Sequence, residues 1–252
     1  MYNTKNLRHD ANFRTKMYQG VYWIPVSNLG ISSLMKVNVA PLIKENREEL
    51  ASRITTIYEA LQVLQICEFE AKDDNTYVEH KSELWEYHRS GKDAFRDNEG
   101  CCASVASWLC TVLEGKYDEI RLFSLSPLIG NGHVINYIKH RSKEYIIDPY
   151  AMLNAHSSLI CDETGLKSDF RKSKIMTCGL FEIESLTHFA NFYARRHFLS
   201  SREFLFFLHK DTICAPICRI EKDGNLYLKI KSNSITIVEQ KNKNYKMFVD
   251  FL

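Results

Sequence analysis

Residues 98–116 read NEGCCASVASWLCTVLEGK. Two adjacent cysteines follow a glycine and open an apolar stretch with helical spacing, running through Val105, Ala106, Leu109, Val112 and Leu113 and stopping near Gly115. The first turn of a helix has unpaired N–H groups and the positive end of the dipole, an environment that favours a thiolate. Both Cys101 and Cys102 occupy that place. On the helical wheel Cys102 shares a face with Ala106, Leu109 and Leu113, the side that packs against a sheet, whereas Cys101 lies with Ser104 and Trp108. A nucleophile held between helix and sheet is therefore expected at Cys102.

A thiol nucleophile needs a base, and the base needs an orienting group. Residues 130–150, GNGHVINYIKHRSKEYIIDPY, supply both: His133 begins one strand-like run and Asp148 ends the next. With a two-residue turn at His140 and Arg141, His133 lies opposite Asp148. With four turn residues, Asp148 lies opposite Ile135 and one diagonal step from His133. Either register leaves the two side chains on one face; a three-residue turn separates them.

The pattern Gly100-x-Cys102-x-x-x-Ala106, then Gly132-His133, then Tyr145-Ile146-Ile147-Asp148-Pro149, resembles the core of the transglutaminase-like cysteine peptidase superfamily over residues 85–150. The approach HRSGKDAFRDNEG has the look of that family too. The resemblance implies a papain-like α+β core, with the cysteine opening a central helix on an antiparallel sheet. It implies a Cys102–His133–Asp148 triad acting on a peptide or amide bond through a thioester. It also implies an oxyanion hole built from the Cys102 N–H and an upstream side chain, for which Trp85 and Tyr87 are candidates; Cys101 lies beside it. Ile135 stands where many members carry an aromatic, and Tyr145 where many have tryptophan.

Around this core, Leu50, Ile54, Ile57, Tyr58, Leu61 and Leu64 predict a helix after Pro41. AKDDNTYVEHK (71–81) reads as a polar connector and SELWEYHRS (82–90) as a short helix. IRLFSLS, HVINYI and EYIID read as strands, and residues 151–180 as loop-rich. FEIESLTHFANFYARRHFLS (181–200) reads as helix, and 213–240 as two or three strands with a hairpin at Asp223-Gly224. The expected organisation is an α+β chain: a mostly helical part over 1–80, a catalytic core over 81–180, and a helix with strands over 181–252 packed on that core.

The composition narrows the function further. A formal net charge of +2 over 252 residues points to no nucleic-acid or membrane partner, and no stretch approaches a membrane span. The N-terminus has no signal-peptide run, and eight scattered cysteines read as free thiols, so a cytoplasmic location is expected; export by a specialised secretion route leaves the same features. Cys214 and Cys218 lack the second pair of a zinc site, and there is no phosphate loop or dinucleotide fingerprint, so neither metal nor cofactor is expected. The partner is then a protein or peptide substrate, and a specific cysteine protease is the leading expectation. A glutamine deamidase or transglutaminase shares the acyl-enzyme. An arylamine N-acetyltransferase-like enzyme shares the triad order, although NEGCC lacks that family's arginine. A catalytically inactive binding module would keep only the fold.

Overall fold

The structure, a computed structural model, describes residues 21–25, 51–57, 60, 63–64, 69–127, 132–149, 177–190, 204–241 and 248–251. Helices pack on largely antiparallel sheets, an α+β architecture. The strands in chain order are β1 (Val21–Pro25), β2 (Glu70–Ala71), β3 (Thr76–His80), β4 (Glu83–Tyr87), β5 (Glu99–Gly100), β6 (Glu119–Pro127), β7 (His133–His140), β8 (Lys143–Asp148) and β9 (Thr177–Ile183). They continue with β10 (Phe204–His209), β11 (Ile217–Lys222), β12 (Asn225–Ile230), β13 (Ile235–Lys241) and β14 (Phe248–Phe251). Helix α1 spans Gly91–Asp97 and α2 spans Cys102–Val112.

The main sheet has seven strands in the order β1-β9-β8-β7-β6-β10-β13. It draws strands from each of the three stretches expected as separate parts. The expected strands β6, β7 and β8 lie at its centre, where Val134, Ile135, Ile138, Ile146 and Ile147 are buried. The β7–β8 turn is two residues, Arg141 and Ser142, both with positive φ (50° and 64°), as a tight hairpin of this hand requires. His140 pairs with Lys143 and Asn136 with Ile147, so one further step sets Ile135 opposite Asp148. Of the two registers left open by the sequence, the diagonal one is present, but through a two-residue turn at Arg141-Ser142 rather than the four-residue turn it was tied to.

Two expected elements differ. SELWEYHRS is not a helix: β4 covers Glu83–Tyr87 and pairs with β3, which lies in the stretch expected as a connector. The Lys81-Ser82 turn (φ 50° and 65°) closes this hairpin. Strand β4 also pairs with β11, in a second sheet of order β14-β12-β11-β4-β3. That sheet buries Ile217, Leu228 and Ile230 against Leu205, Phe207 and Ala215, each large side chain contributing about 1.5–3 kcal/mol. The second difference is β9, whose end at Ile183 takes the first three residues of the helix expected over 181–200; helix resumes at 186–190. The helix expected after Pro41 is described only in part, with Ile54, Ile57 and Leu64 buried.

Helix α2 lies against β6 and β7 on one face of the main sheet. Buried Asn136 donates through Nδ2 to Ala106 O (2.9 Å) and Cys110 Sγ (3.2 Å). Helix α1 begins with a capping interaction, the Asp93 N–H donating to Ser90 Oγ (3.1 Å). It presses on α2 so closely that a Cβ on Gly91 would fall 2.0 Å from Trp108 N. Phe95 stacks on Trp108 at 4.5 Å. Together these fix where the first turn of α2 points. Among the described residues no helix is long and apolar enough to cross a membrane.

Candidate functional site

Cys101 is the N-cap of α2 and Cys102 its first residue. Both thiols belong to an apolar cluster with Ala106, Cys110, Leu122, Val134 and Cys214. The stripe that separated them in the sequence does not separate them here, because Ser104, Ser107 and Trp108 are buried as well. Cys101 is 8% exposed and Cys102 half-buried. Gly100 makes the crowding possible: a Cβ there would meet Ser104 Cβ at 2.8 Å and Ala94 Cβ at 3.1 Å.

The Cys101 thiol is pulled far below the usual thiol range, first by the Cys102 S–H and then by His88, against the opposing effect of burial. Cys102 is pushed well above that range, first by its hydrogen bond to Cys101 and then by burial, while the Val134 N–H pulls the other way. Of the two, Cys101 is the thiol whose ionisation the surroundings favour.

His133 and Asp148 are brought together. Their Nε2 and Oδ2 atoms lie 3.0 Å apart, and both residues are buried. Alternation along β7 turns His133, with Ile135 and Tyr137, to the face opposite Val134 and Asn136, the residues that meet α2. Cys102 lies on the α2 side, packed against the cluster that contains Val134, one residue beyond His133.

His88, just beyond β4, is linked to the thiol pair through Asn75: its Nδ1 lies 2.9 Å from Asn75 Oδ1, the atom that the Cys101 thiol also faces, at 3.4 Å. Asn75 Nδ2 donates to Glu86 Oε1 (2.8 Å), and Glu86 Oε2 accepts from Arg219 Nη1 (3.0 Å). Asp74, beside Asn75, accepts from the Cys101 N–H (3.2 Å) and from Ser104 Oγ (3.0 Å). Burial first, and then the charge on Cys101, raise the Asp74 carboxyl to about 6.

Sequence reasoning missed Asp74, Asn75 and His88. The signal was present: TYVEH and ELWEY are runs of equal length around two polar residues, the mark of a hairpin. Reading the second run as a strand puts Glu86 and His88 on one face. Trp85 and Tyr87 fall on the other face of β4. Trp85 is buried opposite Cys218, and Tyr87 receives a bond from Lys231 Nζ at 3.5 Å. Neither lines the cavity that His88 and His133 border, and Cys101 and Cys102 do not line it either.

That cavity, about 30 Å³, is lined by Glu86, His88, Ser124, His133, His209 and Cys214, among others. It has room for about two waters. Ser124 and His209 lie 2.6 Å apart but are not a nucleophile and base. The Ala215 N–H donates to His209 Nδ1 (3.3 Å), so the proton of the neutral ring is on Nε2 and is given to Ser124. Burial pulls His209 down to about 3 and keeps that ring neutral. Cys110 is raised to about 12, by burial first. All five cysteines whose side chains are described are free thiols, and among the described residues no cluster could hold a metal ion.

No protein-family model matches this sequence, and no curated protein or solved structure matches it.

Proposed function

We propose that the chain is a cysteine-dependent amide hydrolase with a papain-like, transglutaminase-type core, acting on a protein or peptide through a thioester. The observation that carries this reading is the buried His133–Asp148 pair, 3.0 Å between Nε2 and Oδ2, beside Val134, which belongs to the cluster Cys102 packs against. Asp148 occupies Nε2, so proton exchange with a thiol goes through Nδ1. Cys102 attacks the carbonyl carbon as its proton passes to His133, forming the C–S bond. The C–N bond then breaks, and His133 returns the proton to the leaving amine. Water hydrolyses the thioester by the same route in reverse. Backbone N–H groups at the α2 terminus face the developing oxyanion. The strand turns the His133 ring off the α2 face, so this transfer requires the ring to swing around the start of β7.

A specific protease is the leading form of this activity; a glutamine deamidase or transamidase uses the same intermediate. Incubation with protein substrates, followed by mapping of new peptide ends and of mass gains at glutamine, separates them. Cys102→Ala and His133→Ala are expected to lose turnover, and Asp148→Ala to lose less. Wild-type turnover in Cys102→Ala and His133→Ala would overturn the proposal.

A further inference from the structure

On the amide-hydrolase reading above, we propose that the outer edge of β3 docks the substrate polypeptide. The substrate adds to the second sheet as an antiparallel strand, with a basic residue and then two apolar ones ahead of the bond to be attacked. Strand β3 (Thr76–His80) ends the order β14-β12-β11-β4-β3, and among the described residues it pairs with β4 alone. All five of its residues are exposed. An open strand edge is a template for another strand, and natural edges are often blunted by proline or a bulge. Strand β3 has no proline, and its register with β4 is unbroken.

The hairpin turn fixes which backbone groups point outwards. Lys81 and Ser82 form a two-residue turn with positive φ at both, so His80 and Glu83 exchange backbone bonds across it. Antiparallel pairs alternate, so Val78 and Thr76 bond inwards to Trp85 and Tyr87, whereas the N–H and C=O of Tyr77 and Glu79 face away from β4. These are four backbone groups for an incoming strand. The Tyr77 and Glu79 side chains share a face with Leu84 and Glu86, on which Tyr77 is 52% and Leu84 56% exposed. Val78, 46% exposed, stands on the other face.

Charge, direction and length select the occupant. Glu83 is engaged by Lys229 and Glu86 by Arg219. Glu79 is exposed, and no cation pairs with it among the described residues. The residue opposite Glu79 is then basic, and those opposite Val78 and Tyr77 are apolar. An antiparallel chain meets Glu79 first and Tyr77 third, so it runs on towards Asn75 and Asp74. These two residues hold Cys101: its thiol faces Asn75 Oδ1 (3.4 Å), and its N–H donates to Asp74 Oδ1 (3.2 Å). The start of β3 is thus tied to the helix end that bears both thiols, and the bond attacked lies a few residues beyond the basic-apolar-apolar run. A second copy of the chain fits less well, because one five-residue edge cannot bury the ~1,200 Å² of a stable interface.

The test is fluorescence anisotropy of a labelled peptide, Thr-Lys-Val-Tyr-Thr-Gln, with the full chain carrying Cys102→Ala, so that binding is read without turnover. Saturable binding is expected, and several-fold weaker binding of the peptide with Glu in place of Lys. Adding Glu79→Lys, a change on an exposed side chain, is expected to reverse that preference. Adding Glu79→Pro deletes an outward N–H but no bond to β4, and should weaken binding about fivefold or more. No saturable binding, or a preference that Glu79→Lys leaves unchanged, would overturn the proposal. So would a wild-type dimer that Glu79→Pro dissociates, which would give the edge to a second copy. Failure here leaves the hydrolase reading standing, since that is read from turnover in Cys102→Ala and His133→Ala.

Discussion

His209 should make the protein acid-sensitive in a way that one substitution removes. The ring is 2% exposed, donates to Ser124 and accepts from Ala215, so a second proton has no place to go without breaking the bond to the Ala215 N–H. Burial lowers it from 6.5 to about 3. The folded state therefore resists a proton that the unfolded chain accepts. Stability is complete above about pH 6.5 and is lost as pH falls from there towards about 3. The whole window corresponds to ~5 kcal/mol at 1.36 kcal/mol per pH unit, and local relaxation reduces it to ~2–5 kcal/mol. Going from about pH 7.5 to about pH 4.5 should remove ~2 kcal/mol of this contribution, a sizeable part of the ~5–15 kcal/mol typical of a domain. The assay is urea unfolding of wild type and His209→Gln at both pH values. Glutamine can still accept from Ala215 and donate to Ser124, but it does not titrate. Taking the difference between the proteins cancels the other acid-titrating groups. Wild type should lose ~2 kcal/mol more than the variant, about 1 M in the urea midpoint for an m-value of ~2 kcal/mol/M. Parallel losses in the two proteins would refute the reasoning and reopen His209 as a base for Ser124.

Two other perturbations test the same geometry. Asp74→Asn keeps an acceptor for Ser104 and the Cys101 N–H but removes a buried charge whose carboxyl is raised to about 6. A raised carboxyl costs stability as pH climbs from 3.8 through about 6, so relative to wild type the variant should gain ~1–3 kcal/mol between about pH 4 and about pH 7 in urea unfolding. A difference that does not change with pH would contradict it. Gly91→Ala places a Cβ 2.0 Å from Trp108 N and 2.6 Å from Ser107 C, backbone atoms that cannot swing aside. It should lower stability by ~3 kcal/mol or more in the same assay, and a loss below ~1 kcal/mol would mean that α1 does not clamp α2.

The central strands were readable because β6, β7 and β8 carry β-branched and aromatic runs separated by polar turns. Alternation put His133 and Asp148 on one face in either register, and the turn at Arg141 and Ser142 selects between them. The β3–β4 hairpin was hidden by its turn: Lys81 and Ser82 take the left-handed conformation without glycine or asparagine, so no turn residue marked it. Leu84, Trp85 and His88 then fell at helical intervals. Strand β10, FLFFLH, has no alternation, because Leu205 and Phe207 are buried on one side and Phe206 and Leu208 on the other. Its place between β6 and β13 depends on pairings about 80 residues apart, which local pattern does not encode. The site was legible for the same reason and to the same extent. His133 and Asp148 lie on neighbouring, locally paired strands, whereas Asn75 and His88 reach the thiols through the hairpin that was misread. The choice between Cys101 and Cys102 rested on an amphipathic helix, and α2 is buried nearly all round.

The most direct measurement is to trap the acyl-enzyme on a slowly hydrolysed protein or peptide ester by rapid acid quench, and to map the adduct by fragmentation between residues 101 and 102. The account predicts an acyl group on the Cys102 sulfur in wild type, retained in Cys101→Ala and absent in His133→Ala. An adduct confined to another residue, or turnover with Cys102 and His133 both replaced, would contradict it.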